Sequence, residues 1–216
     1  MAKLTDLGFS NGIIFETIVS TYNKDGSPNA APMGAIMHDQ QTINLNLYNS
    51  SQTSHNLKAN KYAVINLTSN IDVFYRTAFK EANPDGKLPH EWFKKAEAVN
   101  APKLRLADAT IDVKVASMEP VGTDKTLFSC NVEQINAAKM CPQVYCRAMS
   151  ATLEAIIHAT RVKAFANDQN KKEQVTQLLQ TIDNCNDMVN RTAPNSAYSE
   201  VMADLMKRID SWRNKP

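Results

Sequence analysis

The stretch Thr42–Asn56, TINLNLYNSSQTSHN, decides how the chain is read. Its first half alternates. Ile43, Leu45 and Leu47 fall on one side and Asn44, Asn46 and Tyr48 on the other, the period of two of a half-buried strand. Its second half crowds Asn49, Ser50, Ser51, Gln52, Thr53 and Ser54 into the opening of a short helix predicted over Gln52–Asn60. Backbone N–H groups of a first helical turn lack intrahelical partners, and the helix dipole favours an anion there. Two readings stay open on these residues alone. The segment is either an ordinary N-cap with surplus polar side chains or a phosphate site.

Outward from this stretch, strands continue on both sides. Ile13–Thr21 is a β-branched run, and Asn23-Lys24-Asp25-Gly26-Ser27-Pro28 is a turn cluster of the kind that joins hairpin strands. Asn29–Met37, rich in small residues, is the next strand. Tyr62–Ser69 and Ala109–Val121 follow, with Ile111, Val113 and Val115 as the buried face of the latter. After the Gly122-Thr123-Asp124 turn, Thr126–Val132 is its partner. Helices do not alternate with these strands, so a closed barrel is favoured over an open parallel sheet. A second helical insertion is predicted over Pro89–Val99, with His90, Trp92 and Phe93 near its start.

Beyond Cys141-Pro142 the texture turns helical. Val144–Ala166 sets Met149, Leu153, Ile156, Ile157 and Ala164 on one face, and Lys171–Arg191 offers Val175, Leu178, Leu179, Ile182 and Val189. A break at Ala193-Pro194-Asn195 precedes Ser196, an N-cap for a last helix to Trp212. The expected class is α+β, mainly β in its N-terminal half. It divides into a barrel domain over 10–135 and a C-terminal helical subdomain over 143–216.

Composition excludes several functions. The 216 residues carry a formal charge of +2, which advertises neither nucleic acid nor an anionic membrane. No run approaches the roughly 18 apolar residues of a membrane span, and MAKLTDLGFSNG has no apolar signal core. A cytoplasmic protein is expected, with Cys130, Cys141, Cys146 and Cys185 as reduced small core residues. The four histidines, His38, His55, His90 and His158, have no ligand spacing, and no nucleotide, zinc or calcium motif occurs. Six glycines are too few for the usual glycine-rich cradle. Spacing alone leaves a Ser/His/Asp triad open, though no nucleophile elbow occurs; otherwise the chemistry falls to a bound cofactor.

Three blocks in order resemble a known family. Asn29-Ala30-Ala31-Pro32-Met33-Gly34-Ala35, after its turn, is similar to the second strand of FMN-binding split-barrel flavoproteins. Ser51-x-Thr53-x-x-Asn56-Leu57 with Ala63-Val64-Ile65-Asn66-Leu67 resembles their phosphate-binding turn and next strand. Glu154-Ala155-Ile156-Ile157-His158-Ala159-Thr160-Arg161 resembles the helix signature of one flavin-reductase-like branch, the DUF447 family. The resemblance implies an FMN-binding split β-barrel with a C-terminal helical bundle, assembled as a homodimer with FMN at the interface. It implies an oxidoreductase acting on a small-molecule substrate, with a nicotinamide or deazaflavin donor and a one-carbon cofactor setting. The other readings are a non-catalytic FMN carrier or sensor, and a structural dimer that has lost its ligand.

Carried over by motif, Ser51, Thr53 and Asn56 would meet the FMN phosphate, and Met33, Gly34, Ala35 and Ile36 would line the isoalloxazine edge. Gly34 marks either a close approach by ligand or a bulge at a barrel corner. Asn66 either reaches the ribityl chain or the ring, or faces inward and bonds to backbone. No cation lies within Ser50–Asn56, so Lys58, Arg76 or the second subunit would have to supply one. On the helix, Arg147, Glu154, His158 and Arg161 share a face. That stripe is either a solvated face with an intrahelical Glu154–His158 contact or a groove wall with His158 and Arg161 as catalytic candidates. Trp92 and Phe93 read as packing aromatics rather than a stacking platform.

Overall fold

The structure is a computed structural model describing residues 3–9, 11–12, 14–137, 147–166 and 168–213. The chain forms two compact units, one of Met1–Ser69 with Phe79–Cys141, the other of Asn70–Ala78 with Pro142–Pro216.

The first unit is built on β1 (Ile14–Tyr22), β2 (Pro28–Met37), β3 (Thr42–Tyr48), β4 (Tyr62–Leu67), β5 (Phe93–Lys95), β6 (Pro102–Leu104), β7 (Ala109–Val121) and β8 (Lys125–Ala137). Six of them close into an antiparallel barrel in the order β1-β2-β3-β8-β7-β4. These are the strands expected from the sequence, because alternation writes the inward face directly. Ile43, Leu45, Ile65, Ile111, Val113 and Phe128 are fully buried together inside it. Each such side chain contributes about 1.5–3 kcal/mol when taken from water. Cys130 is a buried core residue, as expected, and Cys185 is half-buried; both are free thiols. Cys141 and Cys146 lie outside the described residues, as do Ile13 and the expected helix start at 144–146.

Among the described residues the barrel wall is thinly paired at two seams: between β1 and β4, through Ile18, Val19 and Ser20, and between β2 and β3. β2 pairs with β1 from Pro28 to Ile36, whereas it pairs with β3 only through Ala35, Ile36 and Met37. β3 runs on beside β8 as far as Tyr48. The edge of β2 from Asn29 to Gly34 that faces β3 therefore has no ladder partner. Pro32 fits such an edge, since it removes an N–H that a central strand would need. The helix α1 (Gln52–Asn60) follows β3 and packs on β1, β2 and β3.

The helix expected over Pro89–Val99 is absent. His90–Trp92 is one 3-10 turn, followed by the β5–β6 hairpin. The spacing of Phe93, Ala96 and Val99 mimics a helical stripe. Ala96 and Val99 instead join Ala101 against Val64 on the outer face of β4, and Phe93 pairs with Leu104. Extended backbone buries these residues against a flat strand surface better than a helix would.

The second unit holds α2 (Ile71–Ala78), α3 (Arg147–Phe165), α4 (Lys172–Thr192) and α5 (Ala197–Arg213). The sequence reading missed α2, a short helix whose first amides at Asp72 and Val73 are capped by Asn70 Oδ1 at 3.0 and 3.4 Å. Tyr75 explains why this insertion groups with distant residues. Its hydroxyl donates to Asp204, and Arg208 Nε reaches both Tyr75 Oη at 2.6 Å and Asp204 at 2.9 Å. Burial and the Asp204 contact hold the Tyr75 phenol far above its ordinary range. On α3 the buried seam is Ala148, Ala151, Thr152, Ala155, Ile156, Ala159 and Val162; of the expected stripe Ile156 is buried, Met149, Leu153 and Ile157 are half-buried and Ala164 is exposed. Small side chains let α4 and α5 approach α3 closely. Ser196 Oγ accepts from Ser199 N at 3.4 Å, as its N-cap reading requires.

Candidate functional site

The opening between β2 and β3 meets the start of α1. Ser51 is the N-cap: its hydroxyl accepts from Ser54 N at 3.2 Å and donates to Tyr48 O at 2.8 Å. Among the described residues, the backbone N–H groups of Gln52 and Thr53 have no acceptor. Such groups are what a bound anion satisfies.

A buried polar network stands beneath this turn. Thr53, Ser54 and Asn56 are almost wholly buried. Asn56 Nδ2 donates to Thr21 Oγ1 and Asn23 Oδ1, both at 2.9 Å, and Asn56 Oδ1 accepts from Gln52 Nε2 at 2.8 Å. Asn29 Nδ2 donates to Thr53 Oγ1 at 3.3 Å. Asn29 Oδ1 in turn accepts from the Lys80 ammonium. Ser54 Oγ is buried and has no partner among the described residues. The mouth above is a depression of about 470 Å³ lined by Asn23, Lys24, Asp25, Asn29, Gln52 and Lys80. Burial pushes the Lys80 amine below the ordinary lysine range, and among the described residues no carboxylate pairs with it.

The structure thus brings Ser51, Thr53 and Asn56 together, with unequal parts. Ser51 spends its hydroxyl on its own helix. Thr53 and Asn56 brace the wall, and Thr53 keeps one hydroxyl proton to offer. Of the residues facing the depression, Gln52 belongs to the polar run read there, whereas Asn29 and Lys80 were not singled out from sequence for this role. Asn29 could have been, as a polar residue opening a strand of small ones. Lys80 carries no local signal, because it lies far along the chain from α1. Of the cations suggested by sequence, Arg76 pairs with Asp72 at 2.8 Å in the other unit, and Lys58 is exposed, its Nζ reaching Asn49 Oδ1 at 2.8 Å outside the depression.

Met33, Gly34, Ala35 and Ile36 lie where β2 leaves β3. Met33 and Ala35 turn toward the barrel core, and Gly34 and Ile36 outward. Gly34 packs against Ile14: an added Cβ would stand 2.7 Å from Ile14 Cγ2. The β1–β2 register runs unbroken through Glu16 and Gly34, so there is no bulge at that point.

Asn66 faces out of the barrel beneath the β5–β6 hairpin. Its Nδ2 donates to Ile18 O at 2.8 Å, Ser20 Oγ at 2.9 Å and Val64 O at 3.1 Å, while Oδ1 accepts from Leu104 N at 2.8 Å. This satisfies its amide within the protein and leaves no N–H for a ribityl chain. Those to Ile18, Val64 and Leu104 are backbone bonds, as the alternative reading had them, but the side chain faces outward rather than into the barrel. His158 and Arg161 sit on α3 in the second unit. His158 Nε2 lies 3.0 Å from Glu154 Oε1, its Nδ1 is buried without a partner among the described residues, and Arg161 is exposed.

Free helix-start amides, a neighbouring cation without a carboxylate and an unpaired strand edge fit a phosphorylated planar cofactor. A closed antiparallel barrel opened beside one capped helix is the split β-barrel class, the α+β architecture read from the sequence. The chain belongs to the DUF447 family: the model described as "Protein of unknown function (DUF447) N-terminal domain" matches residues 15–139. An FMN-bound DUF447 protein of Methanosarcina mazei is similar over 95% of this chain and 99% of its own, with TM-score 0.76 and 21% identity. Nitrilotriacetate monooxygenase component B of Bacillus cereus is similar over 63% of this chain and 76% of its own, with TM-score 0.52 and 17% identity. Among the described residues no helix is long and apolar enough to cross a membrane.

Proposed function

We propose that this protein is an FMN-binding oxidoreductase, with the FMN phosphate at the first turn of α1 and the ring along the free edge of β2. The observation that carries the reading is the coincidence of that edge, Asn29–Gly34, with the unpaired amides of Gln52 and Thr53. Its support from relatives is the FMN carried by the Methanosarcina mazei protein. In this reading the Gln52 and Thr53 amides and the Thr53 hydroxyl take phosphate oxygens. Ser51 and Asn56 hold the turn in shape. Backbone groups of Met33 and Gly34, with Ala35 and Ile36 closing the end, lie along the ring. A second copy of the chain covers the open side, so the site is completed in a homodimer.

FMN, when bound, supplies a two-electron acceptor that a nicotinamide or deazaflavin donor can reduce and a small-molecule substrate can reoxidise. The protein's own work is binding, orientation and hydrogen bonding at the ring edge. The purified protein, reconstituted with FMN, is expected to show the oxidised-flavin bands at roughly 375 and 450 nm, and to bleach on anaerobic mixing with NADH or NADPH. A colourless protein without FMN affinity overturns the reading. A flavin that binds but resists every nicotinamide and deazaflavin donor makes the protein a carrier instead.

A further inference from the structure

We infer that Lys80 is the residue that makes this site select a phosphorylated flavin over riboflavin, through direct contact of its ammonium with the phosphate. The inference rests on the placement of the phosphate at the start of α1 proposed above.

Lys80 has the properties of a cation held for a ligand. Its Nζ is fixed on Asn29 Oδ1, the same amide whose Nδ2 holds Thr53 Oγ1, so one side chain ties the ammonium to the first turn of α1. An ammonium carries three donors, and a neutral amide oxygen satisfies one of them. The carboxylate sharing the depression, Asp25, is committed to its own turn, accepting from Ser27 N at 2.9 Å and Ser27 Oγ at 2.6 Å. A half-buried charge without a counter-ion destabilises the empty protein, and an incoming phosphate removes that cost.

The backbone that carries Lys80 is also anchored. Phe79 beside it is buried, Ala82 N donates to Phe79 O at 2.9 Å, and Asn83 closes the turn through N and Nδ2 on Lys80 O, both at 3.0 Å. The cation is preorganised rather than recruited from a mobile surface lysine. This resolves the missing charge of the Ser50–Asn56 segment within one chain.

The test is to titrate the full-length protein with FMN and with riboflavin, followed by flavin fluorescence, for the wild type, Lys80→Met, Lys80→Arg and Asn29→Asp. The wild type is expected to prefer FMN. Lys80→Met is expected to weaken FMN by about tenfold to a hundredfold and to leave riboflavin unchanged. Lys80→Arg should recover part of the preference. Asn29→Asp, which places a carboxylate on the ammonium, should also weaken FMN selectively. Without flavin, the thermal midpoint of Lys80→Met should equal or exceed that of the wild type, since an uncompensated charge is gone. Retention of the FMN preference in Lys80→Met overturns the inference and leaves the flavin reading standing. Equal loss of both flavins overturns it too, as the mark of a structural role. A wild type that binds neither overturns both.

Discussion

Two polar clusters lie on the same barrel, and they differ in one respect. Around Asn66 every donor is spent: Ile18 O, Ser20 Oγ and Val64 O accept from it, Leu104 N donates to it, and Ser20 Oγ also reaches Pro102 O at 2.6 Å. Around Asn29 the network stops short. Among the described residues, the Gln52 and Thr53 amides, the Ser54 hydroxyl and two donors of Lys80 have no partner. A closed network is glue, because buried polar groups are tolerated once paired. An open one beside a depression is a request for a ligand. Motif likeness gave Asn66 and Thr53 the same standing as cofactor contacts, and only the completeness of their partners separates them.

The largest expected effect lies at the closed cluster. Asn66→Ala should cost about 3 kcal/mol of folding stability by urea denaturation, since it strands several buried groups at once. FMN affinity of the folded remainder should not move. A stable variant, or one with altered FMN affinity, would erase the distinction between the clusters. Next comes the open cluster. Thr53→Ala should weaken FMN by about 1–2 kcal/mol, with a smaller loss of stability, and Thr53→Ser should restore most of it. Unchanged affinity in the titration would show that the phosphate is not at this turn.

The smallest effect belongs to an intermediate case. Asp112 is fully buried; its Oδ2 accepts from Ala98 N at 3.0 Å, and its Oδ1 has no partner among the described residues. Burial raises its pKa, with Lys103 opposing and Glu97 reinforcing the shift. A carboxyl whose folded pKa is raised stabilises at acid pH and loses that contribution as pH rises through the folded value. Asp112→Asn should therefore be more stable than the wild type at pH 7 by on the order of 1 kcal/mol, and no more stable at pH 3. Denaturation curves at the two values check it. A gain at both pH values would mean that shape, not charge, sets the cost.

Most of the barrel was legible because alternation is a local property. Ile43, Leu45 and Leu47, or Ile111, Val113 and Val115, name their buried face without reference to any other segment. The capped start of α1 was legible for the same reason, since Ser51 is three residues from the amide it caps. Pro89–Val99 was less legible, because two geometries share its pattern. Phe93, Ala96 and Val99 suit a helix and a hairpin equally, and contact with the surface of β4 settled it. The short α2 was missed because its stability comes from Asp204 and Arg208, about 130 positions along the chain.

The sequence by itself determined the six strands, their inward faces, the turn at Asn23–Pro28 and the capped start of α1. Those follow from side-chain period and backbone hydrogen-bonding rules acting over a few residues. Only the tertiary structure decided that β2 parts from β3 below Ala35, that Asn66 is closed, and that Lys80 stands beside Asn29. Those depend on segments distant along the chain meeting, and burial and charge act on side chains by their position in space.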